Sequence, residues 1–145
     1  MRLDKTGHPD DNTRVNGDSG YYALLIRLPK ASHIAVGSWG EADFPAGWYV
    51  YVGTARKGLY ARLNRHMRRA KMLRWHVDYL LQHGTLALTC TWDLDGRSEC
   101  GIAEAIAGLP GACWRPRRFG ASDCRCEGHL IHFKEEPEKG LLTTI

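Results

Sequence analysis

Apolar and polar residues alternate along several short stretches of this chain, and each of these stretches predicts a β-strand. In residues 48–52, Tyr49 and Tyr51 fall on one face of the strand and Val50 and Val52 on the other. Gly53 is expected to end this strand, where the backbone turns or a ligand comes close. The other predicted strands are residues 21–28, 33–38, 85–92 and 129–133. The first two are expected to form a hairpin, followed by a loop over residues 39–47.

Three segments have the period of an amphipathic helix. The first is strongly basic and has a predicted buried stripe of Leu59, Leu63, Met67 and Ala70. The second covers residues 73–83, with Val77, Leu80 and Leu81 facing the core and Gly84 at its end. The third covers residues 99–109, with Ser98 as its N-cap and Pro110 after its last residue.

This order of strands and helices predicts an α+β fold, in which helices flank a small, mostly antiparallel sheet. Residues 20–134 are expected to form one domain between a disordered N-terminal tail, residues 1–19, and a polar C-terminal tail, residues 135–145. No apolar run is long enough to span a membrane, and no secretory signal is evident. We therefore expect a soluble cytoplasmic protein without a membrane partner.

Charge is distributed unevenly, although the net charge is only +4. No acidic residue occurs between Asp43 and Asp78, whereas residues 56–74 are rich in arginine and lysine. A segment of one sign needs a counter-charge, and phosphate is the commonest one. A solvated basic helix face is the alternative, but such faces normally mix both signs. The candidate nucleic-acid-binding residues are Arg56, Lys57, Arg65, Arg68, Arg69, Lys71 and Arg74.

The chain has five cysteines, and an odd number without a secretory signal argues against a disulfide framework. Reduced, partly buried thiols are the default interpretation. The alternative is a zinc site, whose ligands would be Cys113, Cys124, Cys126 and His129. Their spacing is not a standard zinc pattern.

Several of these residues carry a resemblance to a known family. Gly20-Tyr21-Tyr22, Tyr51-Val52-Gly53 and the later Leu59-x-x-Arg62 resemble, in that order, the motifs of the GIY-YIG nuclease superfamily. Other segments are similar to an uncharacterised branch of that superfamily, which is found alone or fused to endonuclease III-like glycosylases. They are residues 74–81, Glu99-Cys100, residues 119–126 and His129-Leu130.

The resemblance implies a GIY-YIG-like fold and a metal-dependent endonuclease that hydrolyses DNA, using Mg²⁺ or Mn²⁺. It implies that Tyr22 activates or positions the attacking water, with Tyr51 as its partner across the sheet, and that Arg62 stabilises charge on the phosphate. Arg62 and the metal would favour the phenolate form of the tyrosine. His66 and His76 are further candidates for the catalytic site. Small nucleases with one basic face bind backbone shape more readily than sequence, so branched or damaged DNA is the expected partner, in repair or recombination.

The resemblance leaves two candidates for the metal ligand. Glu99 matches the Glu-Cys pair of the branch, while Glu104 fits the spacing of the superfamily equally well; we prefer Glu99. An asparagine that braces the site in many members has no counterpart after Asn64, and Ser122, Asp123 or His129 are its candidate substitutes. This departure keeps open a non-catalytic nucleic-acid-binding module of the same fold, and the cysteines near Cys124 and Cys126 keep open a zinc-stabilised interaction domain.

Overall fold

The chain folds around an antiparallel sheet, which confirms the predicted α+β class. The computed structural model describes residues 18–68, 71–121 and 127–145. The strands are β1 Gly20–Leu28, β2 Ser32–Val36, β3 Gly40–Phe44, β4 Gly47–Ala55, β5 Thr85–Trp92, β6 Ala112–Trp114 and β7 Leu130–Phe133. The helices are α1 Leu59–Met67, α2 His76–Leu81, α3 Glu99–Ala107 and α4 Lys139–Thr143. None of these helices is long and apolar enough to cross a membrane.

The five strands of the main sheet lie in the order β5-β1-β4-β7-β6, and every neighbouring pair is antiparallel. The pairing of β1 with β4 places Tyr22 opposite Gly53 and Leu24 opposite Tyr51. Because residues two apart on a strand share a face, Tyr22 and Tyr51 lie on the same side of the sheet. Tyr21 points to the other side. The structure thus resolves which tyrosine of the first triplet lies on the face of Tyr51.

Both faces of the main sheet are buried, and this explains why β1 is apolar along most of its length. One face packs on α1 and α2, through residues that include Leu59, Leu63 and Leu80. The other packs on α3 through Ile102 and Ile106. Alternation along β4 assigns its tyrosines to the first core and its valines to the second, as predicted.

The predicted hairpin between the first two strands is wrong. β2 pairs with β3 in a separate two-stranded sheet and not with β1, so residues 40–44 are a strand within the predicted loop. Its alternation is hidden by the acidic residues Glu41 and Asp43, whose partner across the sheet is His33. The prediction failed because hydrophobicity alone does not record such polar cross-strand pairs.

Gly53 does not end β4, because the strand continues through it to Ala55. The glycine has a packing reason instead: a Cβ at this position would lie 2.4 Å from the ring of Tyr22. The predicted turn at Gly53 is therefore wrong, and the group that approaches its backbone closely is the tyrosine of the neighbouring strand.

The predicted helices exist, but all are shorter than predicted at one or both ends. The buried stripe of α1 ends with Leu63 and His66, Met67 is half-buried, and Ala70 lies outside the described residues. In α2 the three predicted core residues are buried. At the start of α3, the Ser98 hydroxyl accepts the predicted capping hydrogen bond from Gly101 N–H, at 2.8 Å.

Both predicted tails contain ordered contacts. Asp18 accepts hydrogen bonds from the backbone N–H groups of Leu59 and Tyr60 at the start of α1. At the other end, α4 forms within the predicted C-terminal tail and buries Leu142 in the second core. Residues 1–17 lie outside the described part of the chain.

Candidate functional site

Two strands and α1 bring the first group of candidate residues together. The Tyr22 ring lies over Gly53, and its hydroxyl is 3.1 Å from Nε2 of His66 on α1. Arg62, one turn before His66, donates a hydrogen bond to the carbonyl oxygen of Thr54 in β4. Its guanidinium also stacks on the ring of Trp75, at 4.9 Å from the centroid. Arg62 is thus held at a fixed place at the end of β4.

Glu99 approaches the same place from the opposite face of the sheet, at the first turn of α3. Its Oε2 accepts a hydrogen bond from the Thr54 hydroxyl at 2.7 Å. Its Oε1 lies 2.9 Å from Nδ1 of His129, at ion-pair distance but without the alignment of a hydrogen bond. Thr54 therefore contacts Arg62 through its carbonyl oxygen and Glu99 through its side chain, and it joins the two halves of the site.

Glu104, the alternative metal ligand, lies elsewhere. Its side chain is 56% exposed and pairs with Arg115 at 2.8 Å. The structure brings Glu99, and not Glu104, to the tyrosines and Arg62.

His76 is fixed by the loop before β7. Its Nδ1 accepts a hydrogen bond from the backbone N–H of Gly120 at 2.8 Å, and its ring packs against Phe119. Gly120 has a positive φ of 74°, and a Cβ there would lie 2.9 Å from the Tyr51 ring. This loop therefore holds His76 and Tyr51 in place, and any larger residue at position 120 would displace them.

These side chains line one small polar cavity of about 180 Å³. Glu99 is its acidic residue, and Arg62 and Arg74 are its cations. Its full lining is Tyr22, Tyr51, Gly53, Thr54, Arg62, Arg74, Trp75, His76, Glu99 and Gly120. A cavity of this size has room for a phosphate group or several water molecules, each of which occupies about 30 Å³ in the liquid.

Burial decides the protonation of the tyrosines and histidines. It raises the pKa of Tyr22 above its ordinary value, and Arg62 only partly opposes this. The pKa of Tyr51 is also raised, again by burial. The prediction that Arg62 lowers the pKa is correct in direction, but desolvation is larger, so the side chains of the protein alone keep both phenols neutral.

Burial lowers the pKa of His66 to about 3, although the Asp78 carboxylate opposes the change. The pKa of His76 is lowered as well, by burial. The neutral His66 ring can therefore accept a proton or a hydrogen bond at Nε2 only if its own proton is on Nδ1, which lies 4.0 Å from Asp78 Oδ1.

The family model described as "Domain of unknown function DUF123" matches residues 21–144. The chain belongs to the DUF123 family. No curated protein and no solved structure gave a match. All residues that line the cavity lie within the DUF123 match.

Asp78 supplies a negative charge to the basic segment of this DUF123 chain, which contains no acidic residue of its own. Its fully buried carboxylate accepts two hydrogen bonds from Arg65, both at 2.9 Å, and one each from the backbone N–H groups of Arg74 and Trp75. Lys71, 3% exposed, lies 3.9 Å from it. Burial raises the pKa of Asp78, but the hydrogen bonds outweigh it and hold the pKa below its ordinary value.

The predicted nucleic-acid-binding residues thus divide into two groups. Arg65 and Lys71 are engaged within the protein, by Asp78 and by backbone carbonyl oxygens, so their role in nucleic-acid binding stays a prediction. The exposed cations are Arg56, Lys57, Arg68 and Arg74, whereas Arg69 lies outside the described residues.

The described members of the predicted zinc set have separate neighbours. The Cys113 thiol contacts Nδ1 of His132 at 3.5 Å. His129 contacts Glu99 and Cys100 through opposite nitrogens of its ring, so these three groups do not converge on one point. Among residues 18–68, 71–121 and 127–145, no group of three His, Cys, Asp or Glu residues could hold a metal by itself. Cys124 and Cys126 lie outside this part of the chain.

The candidate substitutes for the missing asparagine are also separated by the structure. His129 contacts Glu99, as a brace of that carboxylate would, whereas Ser122 and Asp123 lie outside the described residues.

Sequence reasoning missed four residues of this site: Thr54, Trp75, Asp78 and Gly120. Thr54 directly follows the Tyr51-Val52-Gly53 triplet, and Trp75 and Asp78 lie in the 74–81 segment that resembles the branch. A signal existed for Asp78, because it is the first acidic residue after a long basic run. No pattern in the sequence indicates that Gly120 approaches Tyr51.

Proposed function

We propose that this protein is a metal-dependent endonuclease of the GIY-YIG type, which hydrolyses phosphodiester bonds in branched or damaged DNA during repair or recombination. The observation that carries the proposal is the convergence of Tyr22, Arg62 and Glu99 on one polar cavity. A carboxylate can hold a metal ion, a guanidinium can stabilise charge on a phosphate, and a phenol can position water, and metal-assisted phosphodiester hydrolysis can use all three. Their order along the chain agrees with the GIY-YIG motifs.

The donor set fits Mg²⁺ or Mn²⁺. Glu99 supplies carboxylate oxygens at the cavity, and Mg²⁺ typically takes only one or two protein carboxylates and keeps several waters. The Thr54 hydroxyl donates a hydrogen bond that orients this carboxylate, as neighbours of metal ligands commonly do, and His129 lies against its other oxygen. The bound metal would polarise the phosphate and stabilise the leaving oxygen.

Arg62 is suited to bind the phosphate that is cut. Its contacts to the Thr54 carbonyl and the Trp75 ring fix its position before substrate arrives, so little conformational entropy is lost on binding. A guanidinium in this position neutralises the charge that develops on the non-bridging oxygens as water attacks the phosphorus and the bond to the leaving oxygen breaks.

Tyr22 and His66 are suited to position the attacking water. Because both groups are neutral, the Tyr22 hydroxyl can donate a hydrogen bond to Nε2 of His66, 3.1 Å away, and its oxygen is left to accept a hydrogen bond from the water. Burial disfavours both a phenolate on Tyr22 and a cation on His66, so this pair orients the water and does not retain its proton, which passes to solvent.

Tyr51 and His76 are positioned to bind and orient the substrate. Tyr51 lines the cavity with a phenol whose raised pKa keeps it protonated, so it can donate a hydrogen bond to phosphate. His76 is neutral and held by Gly120, which leaves its Nε2 as the nitrogen available to a ligand.

A cleavage assay tests this proposal with labelled duplex, flap, fork and four-way-junction DNA, in Mg²⁺ or Mn²⁺. We expect wild-type protein to cut at least one branched substrate, and Arg62→Ala and Glu99→Gln to lose that activity. Removal of a single preorganised donor to the transition state typically costs about 10²–10³ in rate. Glu104→Gln is the matched control, because it removes a carboxylate on the same helix that points to Arg115, and it should retain activity.

Two results would contradict the proposal in different ways. If Glu99→Gln cuts as well as Glu104→Gln, Glu99 does not hold the metal. If the wild type cuts no substrate but binds DNA with a steep dependence on salt, the protein is a nucleic-acid-binding module without turnover.

A further inference from the structure

A second, larger cavity of about 640 Å³ lies next to the proposed catalytic one. Besides Arg62, three basic residues line it, one from the segment before α3 and two from the turn between β4 and α1. They are Arg97, Arg56 and Lys57. The motifs do not include Arg97, and sequence analysis did not select it.

The two cavities are adjacent. Thr54, Arg62 and Glu99 line both of them, so the proposed metal ligand and the proposed phosphate-binding arginine lie at their junction. The first cavity, at about 180 Å³, is much smaller than the second, at about 640 Å³. A polymeric ligand cut at the junction must therefore extend into a neighbouring space, and the second cavity provides one.

The charges of the second cavity are available to a ligand. Arg56 and Lys57 are exposed, and no acidic side chain within the described ranges pairs with them. Arg97 pairs with Asp95 through Nε and Nη2, but both side chains are substantially exposed, at 37% and 42%. An exposed pair of this kind contributes little to stability, so a phosphate can compete with Asp95 for the guanidinium. Arg65 and Lys71 differ from these three residues, because they already contact Asp78 and donate hydrogen bonds to backbone carbonyl oxygens.

We propose that the second cavity binds the phosphodiester backbone of the nucleic-acid strand next to the bond that is cut, through Arg56, Lys57 and Arg97. The inference rests on the proposed nuclease function, and it specifies on which side of the catalytic residues the substrate strand continues. These cations act on backbone phosphates, so this subsite contributes affinity and register without selecting a base sequence.

The salt dependence of DNA binding tests the subsite. Fluorescence anisotropy with a labelled DNA fork would be followed from low to high NaCl, with Ca²⁺ in place of Mg²⁺. The test variant is Arg56→Ala/Lys57→Ala/Arg97→Ala. The control Lys30→Ala/Lys134→Ala/Lys139→Ala removes the same charge from exposed positions outside both cavities.

Each phosphate contact contributes about 0.7 to the slope of log K against log salt for a single strand and about 0.9 for a duplex. Loss of the three contacts should therefore reduce the slope by roughly 2–3 in the test variant. The control should keep the wild-type slope. The triple variant could also have a folding defect, so a second variant changes only one exposed residue. This charge reversal, Lys57→Glu, should likewise reduce the affinity for DNA.

The outcomes separate this inference from the proposed function. Equal slopes for the test and control variants would overturn the subsite, and cleavage by wild type with its loss in Glu99→Gln would still support the nuclease. A reduced slope in the test variant without cleavage by any form would keep the subsite and overturn the nuclease. Absence of both binding and cleavage would overturn both.

Discussion

Replacing Asp78 by asparagine is a direct test of the buried ion cluster that joins α1 to α2. The substitution keeps the shape of the side chain but removes its charge, so Arg65 and Lys71 lose their counter-ion while their side chains remain 17% and 3% exposed. Loss of one partner from a buried ion pair typically costs about 3–5 kcal/mol, because the remaining charge stays buried. Small domains are stabilised by only about 5–15 kcal/mol, so this loss is large.

Urea denaturation at neutral pH would measure this effect. With a urea m-value of about 1–3 kcal/mol/M, a loss of 3 kcal/mol lowers the midpoint by about 1–3 M. Asp95→Asn is the matched control, since Asp95 also pairs with an arginine but lies on the surface, and its midpoint should hardly change. Equal midpoints for the two variants would refute the reasoning that burial makes the Asp78 pair important.

The pH dependence provides an independent check on Asp78. The folded protein holds its pKa below the ordinary value, so its contribution to stability is complete above about pH 4, the ordinary pKa of aspartate. That contribution is lost as the pH falls through the folded-state pKa. Asp78→Asn should lack this part of the acid destabilisation, and an unchanged acid profile would contradict the assignment.

Two further predictions concern the contacts around Tyr22. Gly53→Ala places a methyl group 2.4 Å from the Tyr22 ring, so we expect the free energy of unfolding in urea to fall by about 1–3 kcal/mol and cleavage to be lost. Gly108→Ala is the control: the nearest atoms there are at 3.5 Å or more, so its free energy of unfolding should change little. His66 has a pKa of about 3 in the folded protein and an ordinary value of 6.5, so the unfolded chain binds the extra proton and stability falls as the pH drops between these values. The difference in unfolding free energy between wild type and His66→Gln should therefore shrink on acidification over this range, and a constant difference would show that His66 is not buried in its neutral form.

Much of the fold follows from periodicity. Strands β4 and β5 and the core stripes of α1, α2 and α3 are evident from the apolar pattern, because these elements bury one or both faces against the main sheet. β3 was missed because polar pairs with His33 replace apolar alternation on its exposed face. α4 was missed because a five-residue helix is too short to show a period.

The candidate site was predictable where local motifs fix it. Tyr22, Tyr51, Arg62 and Glu99 follow from the resemblance, and the structure places all four around one cavity. The roles of Arg65 and Lys71 were not predictable, because both side chains lie beside Asp78. Asp78 belongs to the following helix, α2, and the sequence does not show that this residue lies next to α1. Charge on a helix is visible in sequence, but its partner in space is not.

The two sides of the cavity come from different parts of the chain, but both depend on its later residues. Arg62 and Tyr22 lie on the face covered by α1 and α2, whereas Glu99 and His129 belong to α3 and the approach to β7. The core beneath Tyr22 also contains Phe119 and Leu130, and Gly120 contacts both His76 and Tyr51. During synthesis from the N-terminus, neither side of the cavity therefore has its full packing until these residues have left the ribosome. A chain cut short before residue 119 would carry most of the motif residues without the packing that fixes them.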